Sequence, residues 1–117
     1  MDQSKEMAKL AYAALSEKKG GDIKIIDIHE VSVMADYFII ADGSNLNQVQ
    51  AMADNVEEKM AEAGYQVRQT EGYQSANWIL LDYGDVIVHV FSKEDRLFYD
   101  LERIWRDGKI VESVDEL

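Results

Sequence analysis

Two apolar runs, Trp78-Ile79-Leu80-Leu81 and Val86-Ile87-Val88-His89-Val90-Phe91, stand on either side of Asp82-Tyr83-Gly84-Asp85. Runs of this kind around four turn-type residues predict a β-hairpin, with Gly84 at a positive-φ position. A strand with one face in water alternates apolar and polar side chains; these strands do not, so both faces need cover. The hairpin therefore belongs inside a sheet with helices packed over it, which restricts the chain to a layered α/β arrangement. Because both faces are apolar, the pattern by itself does not fix the pairing register.

The rest of the chain supplies the layers. Met7, Leu10, Ala11, Ala14 and Leu15 recur on one helical face, and Gly20-Gly21 after Lys18-Lys19 provides a stop, so a first helix runs from about the N-terminus to Lys18 or Lys19. Ile23 to Ile28 and Tyr37 to Ala41 read as buried strands joined by a connection over His29 to Asp36. Asp42-Gly43-Ser44 opens a second helix, with Ser44 as the expected cap and Leu46, Val49, Ala53, Val56, Met60 and Ala63 as its stripe, ending at Gly64. Tyr65 to Gln69 predicts a third strand. Ser92 with Asp95 has the spacing of a helix cap and its reciprocal acid, followed by Leu97, Phe98, Leu101, Ile104 and Trp105 as far as Gly108. The strand-helix-strand section favours parallel neighbours and the hairpin is antiparallel. The expected fold is α/β, a mixed sheet of about five strands flanked by helices, in one domain over residues 1–117.

Charge and composition narrow the function. Of the 117 residues, 23 are acidic and 12 basic, a net charge of −11 that repels phosphate backbones and anionic membranes, so no direct nucleic-acid or membrane partner is expected. Without cysteine there is no disulfide, thiolate metal site or cysteine nucleophile, and with His29 and His89 standing 60 positions apart a structural zinc site is not expected. Met1 to Leu10 carries four charges and no unbroken apolar core, unlike a signal or transit peptide, and a cytoplasmic location is expected.

Gly43-Ser44, between a strand and a helix, is where backbone N–H groups can hold a phosphate, and it is similar to the glycine-serine turn of nucleotidyltransferases. Their chemistry also needs paired carboxylates for divalent metal ions on a following strand. Asp82 and Asp85 come nearest and read better as turn and solvation residues; a metal-dependent nucleotidyltransferase or nucleotide-binding enzyme using Gly43-Ser44 is the alternative reading. His89, in an apolar strand, reads as a satisfied, half-buried histidine rather than a general base. Between Arg68 and Lys93 there is no Lys or Arg, but there are Glu71, Asp82 and Asp85 with Tyr73, Trp78, Tyr83 and Phe91. Aromatic anchors ringed by acids suit a basic protein partner, while Trp78 and Phe91 can equally be core.

Longer stretches carry a resemblance. Ala35-Asp36-Tyr37-Phe38-Ile39-Ile40-Ala41, Ser44, Gln48-Val49-Gln50-Ala51, the Trp78 to Phe91 hairpin, Arg96 to Tyr99 and Asp100-Leu101-Glu102-Arg103-Ile104-Trp105 follow one another as in the ribosomal silencing factor family, also called RsfS or Iojap-like. The chain resembles that family from about Met7 to Trp105, departing from it at Lys93, where relatives often have proline, and in the Asp42 to Asn45 turn. The resemblance implies a nucleotidyltransferase-like fold without catalysis, cofactor or metal. It further implies a translational repressor that binds the large ribosomal subunit through ribosomal protein L fourteen, blocks joining of the small subunit when nutrients are scarce, and is a homodimer when free. Carried over by position, the contact residues are Trp78, Asp82, Tyr83, Gly84 and Asp85.

Overall fold

The structure, a computed structural model, describes residues 2–30, 33, 35–99 and 109–111. The first helix, α1 (Asp2–Glu17), buries Met7, Ala8, Ala11, Ala14 and Leu15 on the expected face. It stops before the glycines: Lys19, at φ 59°, takes the left-handed position, its N–H donating to the Ser16 carbonyl at 3.0 Å while Gly20 N–H donates to Leu15 at 2.9 Å.

The second helix, α2 (Leu46–Glu62), buries Val49, Met52, Ala53, Val56 and Met60. The two ends of its expected stripe, Leu46 and Ala63, are exposed. The cap is Asn45 rather than Ser44, because the preceding strand runs on through Gly43 and delays the first turn. Asn45 Oδ1 accepts from Gln48 N–H at 2.8 Å, and Gln48 Oε1 accepts from Ser44 N–H at 2.6 Å. Gln48 Nε2 also donates to the carbonyls of Lys18 and Lys19, fastening the start of α2 to the end of α1.

Among the described residues six strands form one sheet: β1 (Gly21–Asp27), β2 (Tyr37–Gly43), β3 (Gln69–Glu71), β4 (Trp78–Asp82), β5 (Val86–Ser92) and β6 (Lys109–Val111). Their order is β3-β4-β5-β2-β1-β6, with β2 and β5 parallel and every other pair antiparallel. The mixed sheet is as expected, and β6 adds an edge strand that the sequence did not reveal. The third strand begins later than Tyr65. Tyr65 N–H is used by the end of α2, donating to Met60 at 2.8 Å, and the ladder starts only where Arg68 N–H reaches the Asp82 carbonyl at 2.7 Å. The parallel partner of β2 is consequently β5, and β3 lies at the edge beyond β4.

Side chains alternate between two cores. Ile25, Ile39, Ala41, Ile79, Leu81, Val86, Val88 and Val90 pack against α1 and α2. Ile26, Phe38, Ile40, Ile87 and Phe91 form a smaller cluster on the opposite face, bordered by the partly buried Trp78 and Leu80. The third helix, α3 (Lys93–Tyr99), begins at the expected cap, where Ser92 Oγ accepts from Asp95 N–H at 3.3 Å and donates to Asp95 Oδ2 at 3.1 Å. The apolar stripe read over Leu97 to Trp105 lies outside the described side chains.

Candidate functional site

The hairpin closes as the sequence predicts. Tyr83 N–H donates to the Val86 carbonyl at 2.9 Å across the two-residue loop Gly84-Asp85, and Gly84 has φ 87°. This loop fixes the register as Trp78 opposite Phe91, Leu80 opposite His89 and Asp82 opposite Ile87. Trp78, Leu80 and Asp82 thus share one face of β4, away from α1 and α2.

The five residues inferred from the resemblance stand at the two ends of β4. Trp78 opens β4 and the turn closes it, about 13 Å away along the strand. Asp82 Oδ1 accepts from Gly84 N–H at 2.7 Å, so that carboxylate is engaged in shaping the turn. Tyr83 is only 7% exposed and packs in the core beneath α2, where burial, with the charge of Glu57 as a smaller cause, raises its hydroxyl above the usual tyrosine range. It supports the turn and presents little surface. Asp85 is exposed, and its carbonyl accepts from Asp36 N–H at 2.7 Å, tying the turn to the approach of β2. A side-chain carbon at Gly84 would lie 3.0 Å from Arg68 Nη1. The basic residue just outside the acidic stretch in sequence therefore folds over its turn in space.

At the other end of β4, Trp78 is held from three sides. Its indole lies against Phe91, ring centres 5.0 Å apart and 27° between planes. Indole Nε1–H donates to His89 Nδ1 at 3.0 Å. Gly72, at φ 80°, passes so close that a Cβ there would stand 2.1 Å from the Trp78 carbonyl oxygen, so only glycine lets the loop after β3 run past this backbone. That loop is fastened to α2 by Gln50 Nε2 donating to the Tyr73 carbonyl at 2.9 Å and by the Tyr73 hydroxyl donating to Asp54 at 3.1 Å. Glu71, Gly72, Trp78 and Leu80 line an open hollow of about 240 Å³. It is an apolar floor with an acid on its rim.

His89 departs from the sequence reading. It is 4% exposed rather than half-buried, and only one of its nitrogens is satisfied: Nε2 is buried without a hydrogen-bond partner among the described residues. Loss of hydration pushes its pKa down to about 3, so the ring is neutral near pH 7. Trp78 and Phe91, open between core and surface in the sequence, divide: Phe91 is core, and Trp78 is at the border.

The alternative site is also visible. Ser44, Asn45, Leu46, Asn77, Ser92, Lys93 and Glu94 line a hollow of about 380 Å³ at the carboxyl ends of the parallel strands β2 and β5. Gly43 pairs with Ser92 at that end, whereas Asp82 and Asp85 flank the start of β5, about 20 Å away along the strand. Those carboxylates cannot hold a metal ion against a phosphate bound at Gly43-Ser44. Beside the hollow, Arg96 is buried and donates to the Gly21 and Asp22 carbonyls and to Asp42 Oδ2. Among the described residues no group of three His, Asp or Glu side chains is placed to hold a metal, and no helix is long and apolar enough to cross a membrane.

Comparison with known proteins agrees with this architecture. The family model described as "Ribosomal silencing factor during starvation" matches residues 1–117. The ribosomal silencing factor RsfS of Bacillus subtilis is 42% identical over 108 residues, 92% of each chain. A crystal structure of a Chromobacterium violaceum protein superposes with a TM-score of 0.84 at 40% identity, covering 86% of this chain and 83% of that one. Another, from Bacillus halodurans, gives 0.83 at 37% identity over 92% and 98%. The chain belongs to the RsfS family, the ribosomal silencing factors during starvation.

Proposed function

We propose that this protein represses translation in the cytoplasm by occupying a basic protein surface on the large ribosomal subunit, ribosomal protein L fourteen, and sterically blocking the small subunit. No bond is made or broken in this mechanism. The observation that carries the reading is Trp78, a partly exposed indole held by Phe91, His89 and the Gly72 loop over an apolar hollow with Glu71 on its rim. Fixed aromatic anchors supply most of the affinity in protein interfaces, and acids around them steer basic partners. Asp82 and Asp85 contribute to steering, while Tyr83 and Gly84 hold the turn that presents them. The net charge of −11 keeps the factor off rRNA and leaves exposed basic protein as the attractive surface.

Co-sedimentation of the full chain with isolated large subunits tests this, alongside an assay of small-subunit joining. Trp78→Ala is expected to weaken binding by ~2–4 kcal/mol and to restore joining. A folded Trp78→Ala protein that binds and blocks like the unmodified chain refutes the assignment.

A further inference from the structure

The buried histidine under the tryptophan is not explained by packing. His89 sits between Phe38, whose ring centre is 4.7 Å away at 65°, and Phe91, at 6.3 Å and 13°, with Leu80 and Ile40 opposite it on the neighbouring strands. A phenylalanine or a leucine suits such surroundings without a polar atom to satisfy. The imidazole instead leaves Nε2 buried and without a partner among the described residues, an arrangement that native cores avoid unless something else needs the ring.

The other nitrogen supplies that need. An indole N–H can only donate, so Nδ1 must accept, which places the proton of the neutral ring on Nε2, the orphaned position. The orphan and the hydrogen bond are two sides of one tautomer: an N–H at Nε2 left unsatisfied among the described residues is what leaves Nδ1 free to receive Trp78. Trp78 is opposite Phe91, so His89 reaches it along the diagonal of the hairpin, and the stacking on Phe91 and the bond to His89 together set both the tilt and the rotation of the indole. A partly exposed tryptophan without that bond would sample more orientations and would have to lose that freedom on binding.

We propose that His89 is the positioning residue of the ribosome-binding surface, fixing Trp78 through its Nε1–H before the partner arrives, a role that rests on the reading of Trp78 as the anchor. His89 itself touches no partner. It acts by keeping the indole in one orientation and by engaging its N–H internally, so that the partner recognises the ring through apolar and cation contacts rather than through a hydrogen bond.

Three full-chain variants test this with isolated large ribosomal subunits as the probe: His89→Phe, which keeps an aromatic ring without the acceptor; His89→Gln, which restores an acceptor; and Trp78→Ala. Two readouts are taken, affinity by co-sedimentation and solvent exchange of the Trp78 indole proton by nitrogen-15 NMR, that signal being identified by its loss in Trp78→Ala and referenced to Trp105, the chain's only other tryptophan. His89→Phe is expected to melt no lower than the unmodified chain, to exchange the indole proton at least ~10-fold faster and to bind ~10-fold more weakly, with His89→Gln recovering part of both. If Trp78→Ala abolishes binding and His89→Phe binds normally, positioning is refuted and the anchor stands. If Trp78→Ala binds normally, the anchor reading falls first, and exchange in His89→Phe shows separately whether His89 holds the indole. Should His89→Phe and His89→Gln both fail to fold, His89 is a structural residue and the proposal is overturned.

Discussion

Replacing Arg96 by methionine should cost stability, and the structure sets the size of the loss. The guanidinium Nη1 donates to Asp42 Oδ2 at 3.0 Å, to the Asp22 carbonyl at 2.6 Å and to the Gly21 carbonyl at 3.2 Å, while Nη2 stands 3.4 Å from the Asp22 carboxylate. These bonds differ in worth. The Asp42 side chain is 13% exposed, so removing its partner strands a mostly desolvated charge, a change that costs ~3–5 kcal/mol for buried pairs. The Asp22 side chain is 66% exposed and water replaces the arginine there, so that contact contributes ~0–1 kcal/mol. The two carbonyls belong to the start of β1, where Gly21 is partly exposed and Asp22 exposed, and they regain water in part. About 3 kcal/mol results, the low end of the buried-pair range because Asp42 keeps some access to solvent, and this corresponds to a melting temperature lower by ~10–20 °C for a domain of this size. Urea unfolding of Arg96→Met, Asp42→Asn and the double variant measures it, with Asp22→Asn as the surface control within ~1 kcal/mol of the parent. The two buried substitutions should be non-additive by ~1–2 kcal/mol, because the second removes a charge that the first left unpaired. A loss below ~1 kcal/mol in Arg96→Met, or strict additivity in the cycle, would falsify this account of the clamp.

Two further substitutions separate support from contact within the hairpin. Tyr83→Phe removes a buried hydroxyl without a hydrogen-bond partner among the described residues, so thermal and urea unfolding should show a gain of ~1 kcal/mol with ribosome binding unchanged; a comparable loss would mean that the hydroxyl is satisfied. The pH dependence of His89 has a definite sign: its folded pKa of about 3 lies below the ordinary 6.5, so between those values the unfolded chain binds the extra proton and stability falls as pH drops through the window. Between pH 7 and pH 5 the unmodified chain should lose ~2 kcal/mol more than His89→Phe, in which all other titrating groups are shared, and parallel stability curves over that range would contradict the burial of a neutral ring.

How far the fold could be read depended on where each residue's partners lie. The helices α1 and α2 were legible because each carries a helical periodicity, the strands β1, β2, β4 and β5 because each is a short apolar run, and Gly64, Gly84 and Ser92 stop, turn or cap the chain through neighbours within a few positions. The strand β3 was misplaced because all three of its residues are exposed and only its ladder to β4 makes it a strand. Asn45 displaced Ser44 as cap for a reason of length: two equally good capping residues stood side by side, and the end of β2 decided between them. Arg96 gave no signal as a clamp, since its partners are 54 to 75 positions away. The link between Trp78 and His89 was closer to hand. Once a two-residue loop is assigned to Gly84-Asp85, the register follows by counting, and it places His89 on the same face as Trp78 and one diagonal step from it.

The charge pattern changes meaning once it is folded. In sequence, the stretch from Gln69 to Ser92 is an uninterrupted run without Lys or Arg, which makes the turn acids Asp82 and Asp85 look like the centre of an acidic contact. In space, Arg68 lies over Gly84 beside that turn, and Asp82 is already engaged with Gly84 N–H. Both facts weaken the field that the turn presents to a partner. At the Trp78 end, by contrast, Glu71 stands on the rim of the apolar hollow. Affinity should therefore respond sharply to changes around Trp78 and Glu71, and the turn should influence mainly the rate of encounter, because a partly neutralised rim charge steers a partner but contributes little once the complex is formed.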